Sequence, residues 1–556
     1  MYLDQIIVRI GEFGQYQIRQ YVMLMLPVIL ITCQMMATVF TVYTLNYRCA
    51  TTSKDYSYYG PSLQNMSSCV ETGCDNHCSY AENKITQFKN TTNVTNTRKC
   101  RKWLYDNSIY GPTAVTEFNL VCDRQYLRAL PSTGFMVGVL ISSLTLSYLA
   151  DRFGRKNMVL VGLILQGAAG LMSAWVPEIY SFVVLRGITA MGNNAMYSSI
   201  FVLGMELVGP SKRPVTGIGI CLVYSIGYVV LSALAYGITH WRHLQTAISC
   251  LSALLIPFLW FIPESVHWLI THGKADEAEE ILRRAAVMNG RSFPNGCLQL
   301  SKNDREPAES SRSVPLTSIF RHKRLAIRTT ILMFNWFVIS GSYYGLTLNS
   351  GTRKGNVYIN LLISGVVEAP AYVIVILTLN RFGRKKVHCF SMLMAGASLL
   401  STMFIGIFSQ TDMYWLITTL ATLGKFGTSA AYSIIYLYTG ELYPTVARNA
   451  TLGICSMFAR FGSISGPYIA ELGSTLSGKY APVVPLVTFG TLAYLAGLFS
   501  LLLPETTARN LPQTIEDCLQ ISEQQRNDES TEIQAMVLET GDHQATELER
   551  NEPIST

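Results

Sequence analysis

Long apolar runs separated by short polar turns dominate the chain of 556 residues. A helix needs roughly 20 apolar residues to cross the core of a bilayer. Runs of about that length begin at twelve positions: Tyr21, Pro131, Asn157, Ile179, Val215, Leu244, Ala326, Asn356, Val387, Tyr414, Ala447 and Val483. Backbone groups in lipid must be hydrogen-bonded within their own segment, so such runs predict helices rather than barrel strands. We therefore expect an all-α membrane protein with twelve transmembrane helices.

Short motifs recur in the same order in the two halves of the chain. Residues 151–156 read DRFGRK and residues 380–385 read NRFGRK, and each copy follows the second apolar run of its half. Two further motifs correspond between the halves. Glu206 lies seven residues before Arg213, as Glu441 lies seven residues before Arg448. Pro-Glu-Ser at 263–265 matches Pro-Glu-Thr at 504–506. The repetition predicts one duplicated six-helix unit, an arrangement found in secondary transporters.

The apolar pattern and the repeat together divide the chain into five segments. We predict a cytoplasmic N-terminus, a first six-helix half that includes a large external loop, a cytoplasmic linker with short helices, a second half, and a disordered acidic tail. The corresponding bounds are 1–20, 21–262 with the loop at 44–130, 263–325, 326–503 and 504–556.

The composition and the placement of charge fit a membrane protein. The chain is 49% hydrophobic and 14% charged, and its net charge is +7. The cations do not form one basic patch of the kind that binds nucleic acid. They gather in short turns at Arg152, Arg155, Lys156, Lys212, Arg213, Arg381, Arg384, Lys385 and Lys386. By the positive-inside rule these turns are cytoplasmic, and both termini are predicted to lie on the same side.

The predicted external loop contains six of the thirteen cysteines: Cys49, Cys69, Cys74, Cys78, Cys100 and Cys122. An even, dense set on the oxidising side of the membrane implies up to three disulfides, whose pairing the sequence leaves open. The loop also contains three N-glycosylation sequons, at Asn65, Asn90 and Asn93. A zinc site through Cys74, His77 and Cys78 is the weaker alternative, so we expect no bound metal.

The motifs resemble those of a known group of transporters. DRFGRK and its NRFGRK twin are similar to the signature loops of the major facilitator superfamily. The resemblance narrows to the organic cation, organic anion and carnitine transporter family through residues 116–122 (TEFNLVC), the cysteine-rich loop, residues 263–265 (PES) and residues 441–445 (ELYPT) with Arg448. It covers nearly the whole chain apart from the tail. Two departures are Ser147, where the signature loop usually has glycine, and Val266-His267, where Pro-Arg is usual.

Two ionisable residues of the second half are predicted to lie at membrane depth, where charges are costly and usually functional. Glu368 is about midway through the eighth apolar run, and Arg460 is about midway through the eleventh. An acid and a base facing one cavity would suit a zwitterion, with its ammonium near Glu368 and its carboxylate held by Arg460. The alternative is that they pair with each other or with the backbone as structural or gating groups.

The resemblance favours the zwitterion. Organic cation members of the family carry aspartate at the position that matches Arg460, whereas carnitine-type and anion-type members carry arginine. Glu368, in its Glu-Ala-Pro-Ala setting, is similar to the carboxylate of the cation and carnitine members. The combination points to the carnitine-like branch. A substrate with only a positive charge would meet Arg460 unfavourably.

Four aromatic residues match cavity positions of the family: Tyr197, Tyr224, Trp336 and Tyr343. They are candidates for cation–π contact with an ammonium group, although each could equally be a packing aromatic. Two further charges fall within apolar runs. We assign Lys425 to the lower cavity wall or an ion-pair network, and Arg186 to a structural role.

The two basic turns imply a gating role by the same resemblance. Asp151 and Arg155 would hold the halves together on the cytoplasmic side while the site faces outward, with nearby acids and bases pairing around them. The gating candidates are Asp151, Arg152, Arg155, Glu206, Arg381, Arg384, Glu441 and Arg448. The alternative is that the turns are solvated and serve topology alone. Because the second turn has Asn380 in place of the acid, we expect an asymmetric latch.

These observations predict alternating-access transport of a small organic zwitterion or cation across the plasma membrane. Sodium coupling, exchange and facilitated transport all stay open. The runners-up are a polyspecific organic cation or organic anion transporter and, below that, a receptor that binds without transport. All eight histidines lie in loops, at span edges or in the tail, and no Walker loop occurs, so neither an enzyme nor an ATP-driven pump is expected. We expect no cofactor beyond a coupling sodium ion. We also expect the protein to contact membrane lipid and to function as a monomer.

Overall fold

The structure, a computed structural model, describes residues 2–49, 79–82, 96–100, 102–107, 110–293, 320–352, 356–408, 413–475, 480–507 and 518. The chain begins with α1 (Tyr2–Gly11) and then forms a first bundle of six long helices. Its members are α2 (Gln15–Met36), α5 (Leu130–Phe153), α6 (Arg155–Ser173), α7 (Ile179–Leu207), α8 (Arg213–Gly237) and α9 (Trp241–Leu254). Three short helices lie between α2 and α5: α3 (Thr38–Thr41), which continues α2, α4 (Ala114–Glu117) and a 3-10 helix (Cys122–Ala129).

A second bundle of six helices follows two short helices, α10 (Val266–Thr271) and α11 (Ala275–Met288). Its members are α12 (Lys323–Thr352), α13 (Val357–Phe382), α14 (Arg384–Phe408), α15 (Tyr414–Leu442), α16 (Thr445–Thr475) and α17 (Val484–Ser500). Three further 3-10 helices lie at Pro210–Lys212, Ile256–Phe261 and Ala481–Val483.

The same six helix pairings occur in both bundles. In the first bundle α2 packs on α7, α8 and α9, while α7 packs on α5 and α6, and α6 packs on α9. In the second bundle α12 packs in the same way on α15, α16 and α17, while α15 packs on α13 and α14, and α14 packs on α17. The bundles meet where α8 packs on α13 and α5 packs on α16. The motif repeat read from the sequence therefore corresponds to a repeat in packing.

Eight stretches of the described residues are long and apolar enough to cross a membrane: Gln15–Thr41, Cys122–Leu146, Arg155–Ser173, Pro210–Gly237, Trp241–Phe261, Lys323–Gly351, Val357–Leu379 and Arg384–Ile405. The apolar helix α17 is shorter. α7, α15 and α16 lie at the predicted fourth, tenth and eleventh runs, and they carry polar side chains such as Asn193 and Arg460. The all-α architecture is confirmed, and the count of twelve spans stays a prediction.

Polar caps explain two helix boundaries, and one helix contains an internal proline. Asn356 caps α13 by accepting a hydrogen bond from the Tyr358 N–H at 2.9 Å, and Ser265 caps α10 by accepting one from the Trp268 N–H at 3.0 Å. Pro27 lies inside α2. A proline there is tolerated because neighbouring helices in a membrane bundle re-satisfy the carbonyl that it leaves without an N–H partner.

Two separate two-stranded sheets lie in the chain between α3 and α4, and one of them packs at one end of the bundles through Tyr47, Trp103 and Tyr105. β1 (Tyr47–Cys49) pairs antiparallel with β4 (Trp103–Tyr105), and β2 (Ser79–Glu82) pairs antiparallel with β3 (Asn96–Lys99). A disulfide joins Cys49 to Cys100, and Cys122 is also disulfide-bonded. Cys69, Cys74, Cys78, Asn65, Asn90 and Asn93 lie outside the described residues. We call this end of the bundles the outer end, and we call the end with the two RFGRK turns the inner end.

At the inner end, α1 packs on α11 and the start of α2. Ile6 and Ile10 of α1 are buried with Trp268 and Leu282. Asn289, which follows α11, ties this layer together. Its side chain donates to the Ile10 carbonyl at 3.2 Å and accepts from the Tyr16 N–H at 3.0 Å. The N-terminal segment is thus held by the short helices between the bundles.

Candidate functional site

A cavity of about 690 Å³ lies between the two bundles, about halfway along their helices. Its wall is rich in tyrosine, with seven of these residues from both bundles. The lining residues are Ile31, Met35, Val139, Asn193, Asn194, Tyr197, Cys221, Tyr224, Tyr343, Tyr344, Tyr372, Tyr432, Tyr436 and Arg460. A concave site of this size with a few convergent polar groups suits a small organic molecule.

Arg460 is the one charged residue among the described residues that line this cavity. It lies in α16 and shares the cavity wall with Tyr432, Tyr436, Tyr344 and Tyr197. Its Nε has no hydrogen-bond partner among the described residues. A guanidinium in this setting can bind a carboxylate, because its N–H groups form a planar fork that donates to both carboxylate oxygens.

Glu368 does not line the cavity with Arg460. It is fully buried in α13, where its Oε1 lies 2.9 Å from Nζ of Lys425 in α15. Lys425 is itself 2% exposed, and its Nζ also donates to the Thr347 hydroxyl at 2.6 Å and to the Tyr343 carbonyl at 3.2 Å. Glu368 and Lys425 therefore form a buried ion pair with additional hydrogen bonds, as burial of charge requires.

Two tyrosines of the cavity wall connect this ion pair to the cavity. The Tyr343 hydroxyl donates to Glu368 Oε2 at 2.9 Å, and the Tyr372 hydroxyl donates to the same oxygen at 3.2 Å. The Lys425 ammonium also lies 3.2 Å from the centre of the Tyr343 ring. Across the interface, the Tyr343 hydroxyl lies 3.3 Å from that of Tyr228 in the first bundle. The carboxylate thus orients wall tyrosines without facing the cavity itself.

The charges around the cavity do not cancel. Glu368 carries one negative charge and Lys425 one positive charge, and their close pairing leaves little net field. The positive charge of Arg460 is therefore the main uncompensated charge near the cavity. In a low-dielectric interior such a charge strongly favours an anionic partner.

The other residues predicted for the cavity are divided between it and the surrounding packing. Tyr197 and Tyr224 line the cavity, and the Tyr224 hydroxyl lies 2.8 Å from Met35 Sδ. Trp336 is buried beside the cavity wall, where its Nε1–H donates to Thr439 at 3.0 Å and its ring packs edge-on against Tyr436.

The structure also places the two lesser intramembrane charges. Arg186 is fully buried within the first bundle, donates to the Gln34 carbonyl at 3.0 Å and lies over the ring of Phe135. Lys425 takes part in the ion pair with Glu368.

Several cavity residues were not singled out from the sequence. They are Tyr344, Tyr372, Tyr432, Tyr436, Asn193, Asn194 and Cys221. A signal for some of them was present: Tyr372 follows Glu368 by four residues, and Tyr432 and Tyr436 are also four apart. Residues four apart share one face of a helix. The sequence does not show which helix face lines the cavity, because that depends on packing between helices that are distant in the chain.

The first basic turn is stabilised within its own bundle. Gly154 has φ +96°, a conformation that glycine adopts without strain. The Glu264 carboxylate accepts from the Arg155 N–H at 2.9 Å and the Lys156 N–H at 3.1 Å at the start of α6. The Arg155 side chain pairs with Asp151 at 3.0 Å. The Glu206 carboxylate accepts a hydrogen bond from the Ser265 hydroxyl.

The second basic turn repeats this design with a different partner for its arginine. Gly383 has φ +94°, and Glu505 accepts from the Arg384 N–H at 2.9 Å and the Lys385 N–H at 3.1 Å. With Asn380 in place of the acid, the Arg384 side chain pairs instead with Glu441 at 3.1 Å. The two turns are therefore asymmetric in their ion pairs.

The Glu505 carboxylate is well suited to its capping role. Burial by itself raises the pKa of Glu505, but hydrogen bonds from the Thr507 hydroxyl and from the N–H groups of Thr506, Arg384 and Thr507 outweigh burial and hold the pKa below its usual range. The group is therefore ionised at neutral pH. Because the folded-state pKa is lowered, its stabilising contribution is lost only as the pH falls through that value.

The remaining gating candidates do not bridge the bundles. Arg152 and Arg381 lie over the rings of Phe153 and Phe382 in their own helices. Arg448 is partly buried in α16, and its Nε and Nη2 have no hydrogen-bond partner among the described residues. Within the described part of the chain, no ion pair joins the two bundles at the inner end.

Comparison with known proteins places this geometry in context. Residues 71–517 match the family described as sugar (and other) transporter. The chain is 38% identical over 525 residues to the organic cation transporter protein of Drosophila melanogaster, with 92% of this chain and 94% of the relative covered. It is 36% identical over 420 residues to the human organic cation/carnitine transporter 2, with 75% and 74% covered. It is 35% identical over 431 residues to the human solute carrier family 22 member 2, with 77% and 76% covered.

Solved structures share the fold at low sequence identity. The xylose transporter XylE from E. coli in an inward-open conformation matches with a TM-score of 0.56 and 18% identity, covering 71% of this chain and 92% of that chain. Its partially occluded inward-open form matches with a TM-score of 0.56 and 16% identity, covering 87% and 98%. Identities this low support a common fold and nothing finer.

Proposed function

Since the chain belongs to the organic cation and carnitine transporter family of the major facilitator superfamily, we propose that it carries small organic zwitterions and cations, carnitine-like or betaine-like, by alternating access. Transport rather than catalysis is the activity that this membership supports. The transported molecule is a substrate, and no resident cofactor is required.

The observation that carries the proposal is the cavity wall, in which a single guanidinium lies among tyrosines. A zwitterion fits both features. Its carboxylate would bind Arg460, and its ammonium would bind the faces of the tyrosine rings by cation–π contact. The positive charge of Arg460 disfavours a substrate that has only a cationic group.

We propose that Glu368 supports the ammonium end through Tyr343 and Tyr372 rather than by direct contact. Both hydroxyls donate to the Glu368 carboxylate. Hydrogen bonding to an anion fixes each ring and makes it more electron-rich, and an electron-rich ring binds a cation better. Lys425 then keeps the buried carboxylate compensated during transport. Tyr197 and Tyr224 would add further ring surface for the ammonium group. Trp336 would hold the Tyr436 ring in place by packing against it from outside the cavity.

Polyspecific organic cation transport is the second candidate. The seven tyrosines of the wall favour it, because aromatic faces bind cations of many shapes. Relatives named for organic cations match the chain over most of its length. In that case Arg460 would take part in gating rather than in substrate binding.

The proposal includes the membrane topology. We propose twelve spans in two halves, 21–262 and 326–503, with both termini on the cytoplasmic side of the plasma membrane and with the loop 44–130 outside. The basic turns at the inner end support this orientation by the positive-inside rule. The disulfide between Cys49 and Cys100 supports an oxidising environment at the outer end.

The gating role of the inner turns is likewise a proposal. In the present arrangement the turn arginines Arg155 and Arg384 pair within their own bundles. When the inner end closes, exchange of these partners across the interface would link the bundles, as in other two-state interfaces. Arg152, Arg381 and Arg448 would then have acids of the opposite bundle within reach.

Uptake of a labelled panel into cells that express the protein tests the proposed function. The panel comprises carnitine, a second betaine, a simple quaternary cation and a dicarboxylate, each with and without sodium. We expect carnitine and the betaine to exceed the quaternary cation and the dicarboxylate by about tenfold or more. Uptake of the quaternary cation at least equal to that of carnitine would favour the second candidate instead.

A further inference from the structure

One ion pair joins the two bundles among those between described residues, and it lies at the outer end. Arg128, just before α5, places its Nη1 3.3 Å from Oε1 of Glu471 near the end of α16. The two side chains are 5% and 18% exposed. A buried pair at this position links the bundles where they must separate for the cavity to open outward.

The arginine is fixed to the first bundle more firmly than to the second. Its Nε donates to the Leu120 carbonyl at 2.6 Å, so the guanidinium is anchored on the segment that leads into α5. Glu471 belongs to α16 and moves with the second bundle. Opening of the outer end would therefore leave Arg128 in place and carry its partner away.

A cavity of about 520 Å³ lies beside this pair, separate from the central one. Arg128 and Glu471 form part of its wall, together with Thr38, Tyr43, Ser132 and Leu348. Arg128 Nη2 is buried and has no hydrogen-bond partner among the described residues. An unsatisfied buried donor is unusual in a folded protein and commonly marks a site for a missing ligand or water.

We infer that Arg128 forms an external docking site for the carboxylate of an arriving zwitterion, and that this carboxylate opens the outer end by displacing Glu471. A guanidinium can bind a carboxylate through two N–H groups. Nη1 of Arg128 contacts Glu471, and its buried Nη2 has no hydrogen-bond partner among the described residues. Arg128 exchanges the Glu471 carboxylate for that of the ligand, so the ion pair between the bundles opens with little net loss of interaction at the guanidinium. The ammonium of the zwitterion would then face the released Glu471.

This inference rests on the proposed function only for the kind of cargo. The gate itself needs no assumption about cargo, because it depends on an ion pair that joins the two bundles. A simple cation has no group that can replace Glu471 on Arg128, so it would leave the pair intact. The external site therefore adds a second selection for carboxylate-bearing zwitterions, ahead of the central cavity.

Accessibility of a single engineered cysteine tests the gate. Met136→Cys places a buried thiol inward of the docking cavity, in a small pocket that shares Ser132 with the outer cavity and Met35 with the central one. The background has the exposed Cys250 and the partly exposed Cys221 replaced by serine. A membrane-impermeant thiol reagent is added from outside. We expect Glu471→Gln to raise the labelling rate about tenfold, because it removes the charge that holds the outer end closed.

A matched control breaks another ion pair at the same end. Glu117 pairs with Arg242, with Nε 3.0 Å from Oε2, but both residues belong to the first bundle. Glu117→Gln should therefore leave the labelling rate within about twofold of the parent. Labelling that does not rise in Glu471→Gln, at equal surface amount of protein, overturns the gate.

A second arm tests docking. Saturating carnitine should raise labelling of the parent about fivefold, tetraethylammonium should not, and carnitine should add nothing in Glu471→Gln, where the gate is already open. If Glu471→Gln opens the outer end but carnitine has no effect on a parent that transports carnitine, the docking site is wrong. Failure of carnitine transport itself with the gate result intact would instead contradict the proposed function.

Discussion

Replacing Arg460 with aspartate should lower uptake of carboxylate-bearing zwitterions by about 100-fold or more, while uptake of a simple quaternary cation should stay at or above the parent level because the repelling charge is removed. Arg460 is the charged residue among the described residues that line the central cavity. Aspartate would place a negative charge where the substrate carboxylate binds, in a wall of tyrosines that screens charge poorly. A loss of 100-fold corresponds to about 2.7 kcal/mol of binding free energy.

The measurement is initial uptake of labelled carnitine and of labelled tetraethylammonium at equal surface amounts of protein. Arg460→Lys is the matched control, since it keeps the charge but loses the bidentate fork. We expect it to retain part of the carnitine uptake and to discriminate against tetraethylammonium as the parent does. Equal loss of both substrates in Arg460→Asp would mean that the arginine serves structure or gating rather than substrate binding.

Replacing Lys425 with alanine should destabilise the protein by about 3–5 kcal/mol, because it leaves the Glu368 carboxylate buried without its cation. Glu368 is fully buried, and the two tyrosine hydroxyls that donate to it cannot neutralise its charge. The midpoint of thermal unfolding of the purified protein in detergent measures the effect. Substrate uptake should fall with it, since Tyr343 lies between the pair and the cavity.

The double variant Glu368→Gln with Lys425→Ala separates lost pairing from lost packing. It removes both charges, so we expect it to recover much of the stability that Lys425→Ala alone loses. The tyrosines would still have an amide oxygen to donate to. If the double variant is less stable than Lys425→Ala, the ion pair is not the source of the destabilisation.

Much of the fold followed from the sequence because membrane insertion imposes a simple rule. Every backbone group in lipid must be hydrogen-bonded within its segment, so apolar runs of sufficient length become helices. The runs predicted to begin at Ile179 and Tyr414 coincide with the first residues of α7 and α15. The repeated motifs likewise indicated a duplicated unit, and the same six helix pairings recur in both bundles.

The organisation of the site could not be predicted in the same way. Glu368 and Lys425 are both visible in the sequence as charges within apolar runs, but nothing in it shows that α13 and α15 bring them within 2.9 Å of each other. The sequence therefore suggested that Glu368 faces Arg460 across a cavity, whereas the structure places Tyr343 and Tyr372 between the carboxylate and the cavity. Which partner a buried charge takes is decided by contacts between distant segments.

The outer ion pair illustrates the same limit. Arg128 and Glu471 lie outside the repeated motifs, and their spacing in the chain indicates no contact. They meet only because α5 packs on α16 at the interface of the bundles. The membrane spans can thus be read from local sequence, whereas contacts between the two bundles, including any gate, are set by the tertiary structure.

Counterflow in vesicles that contain the purified protein tests the central claim most directly. Vesicles are loaded with unlabelled carnitine and diluted into trace labelled carnitine. We predict a transient accumulation of label inside the vesicles, which Arg460→Asp abolishes, because a carrier that alternates between two faces exchanges its substrate. Saturable binding of label to the parent protein without any transient accumulation would contradict transport and indicate a receptor instead.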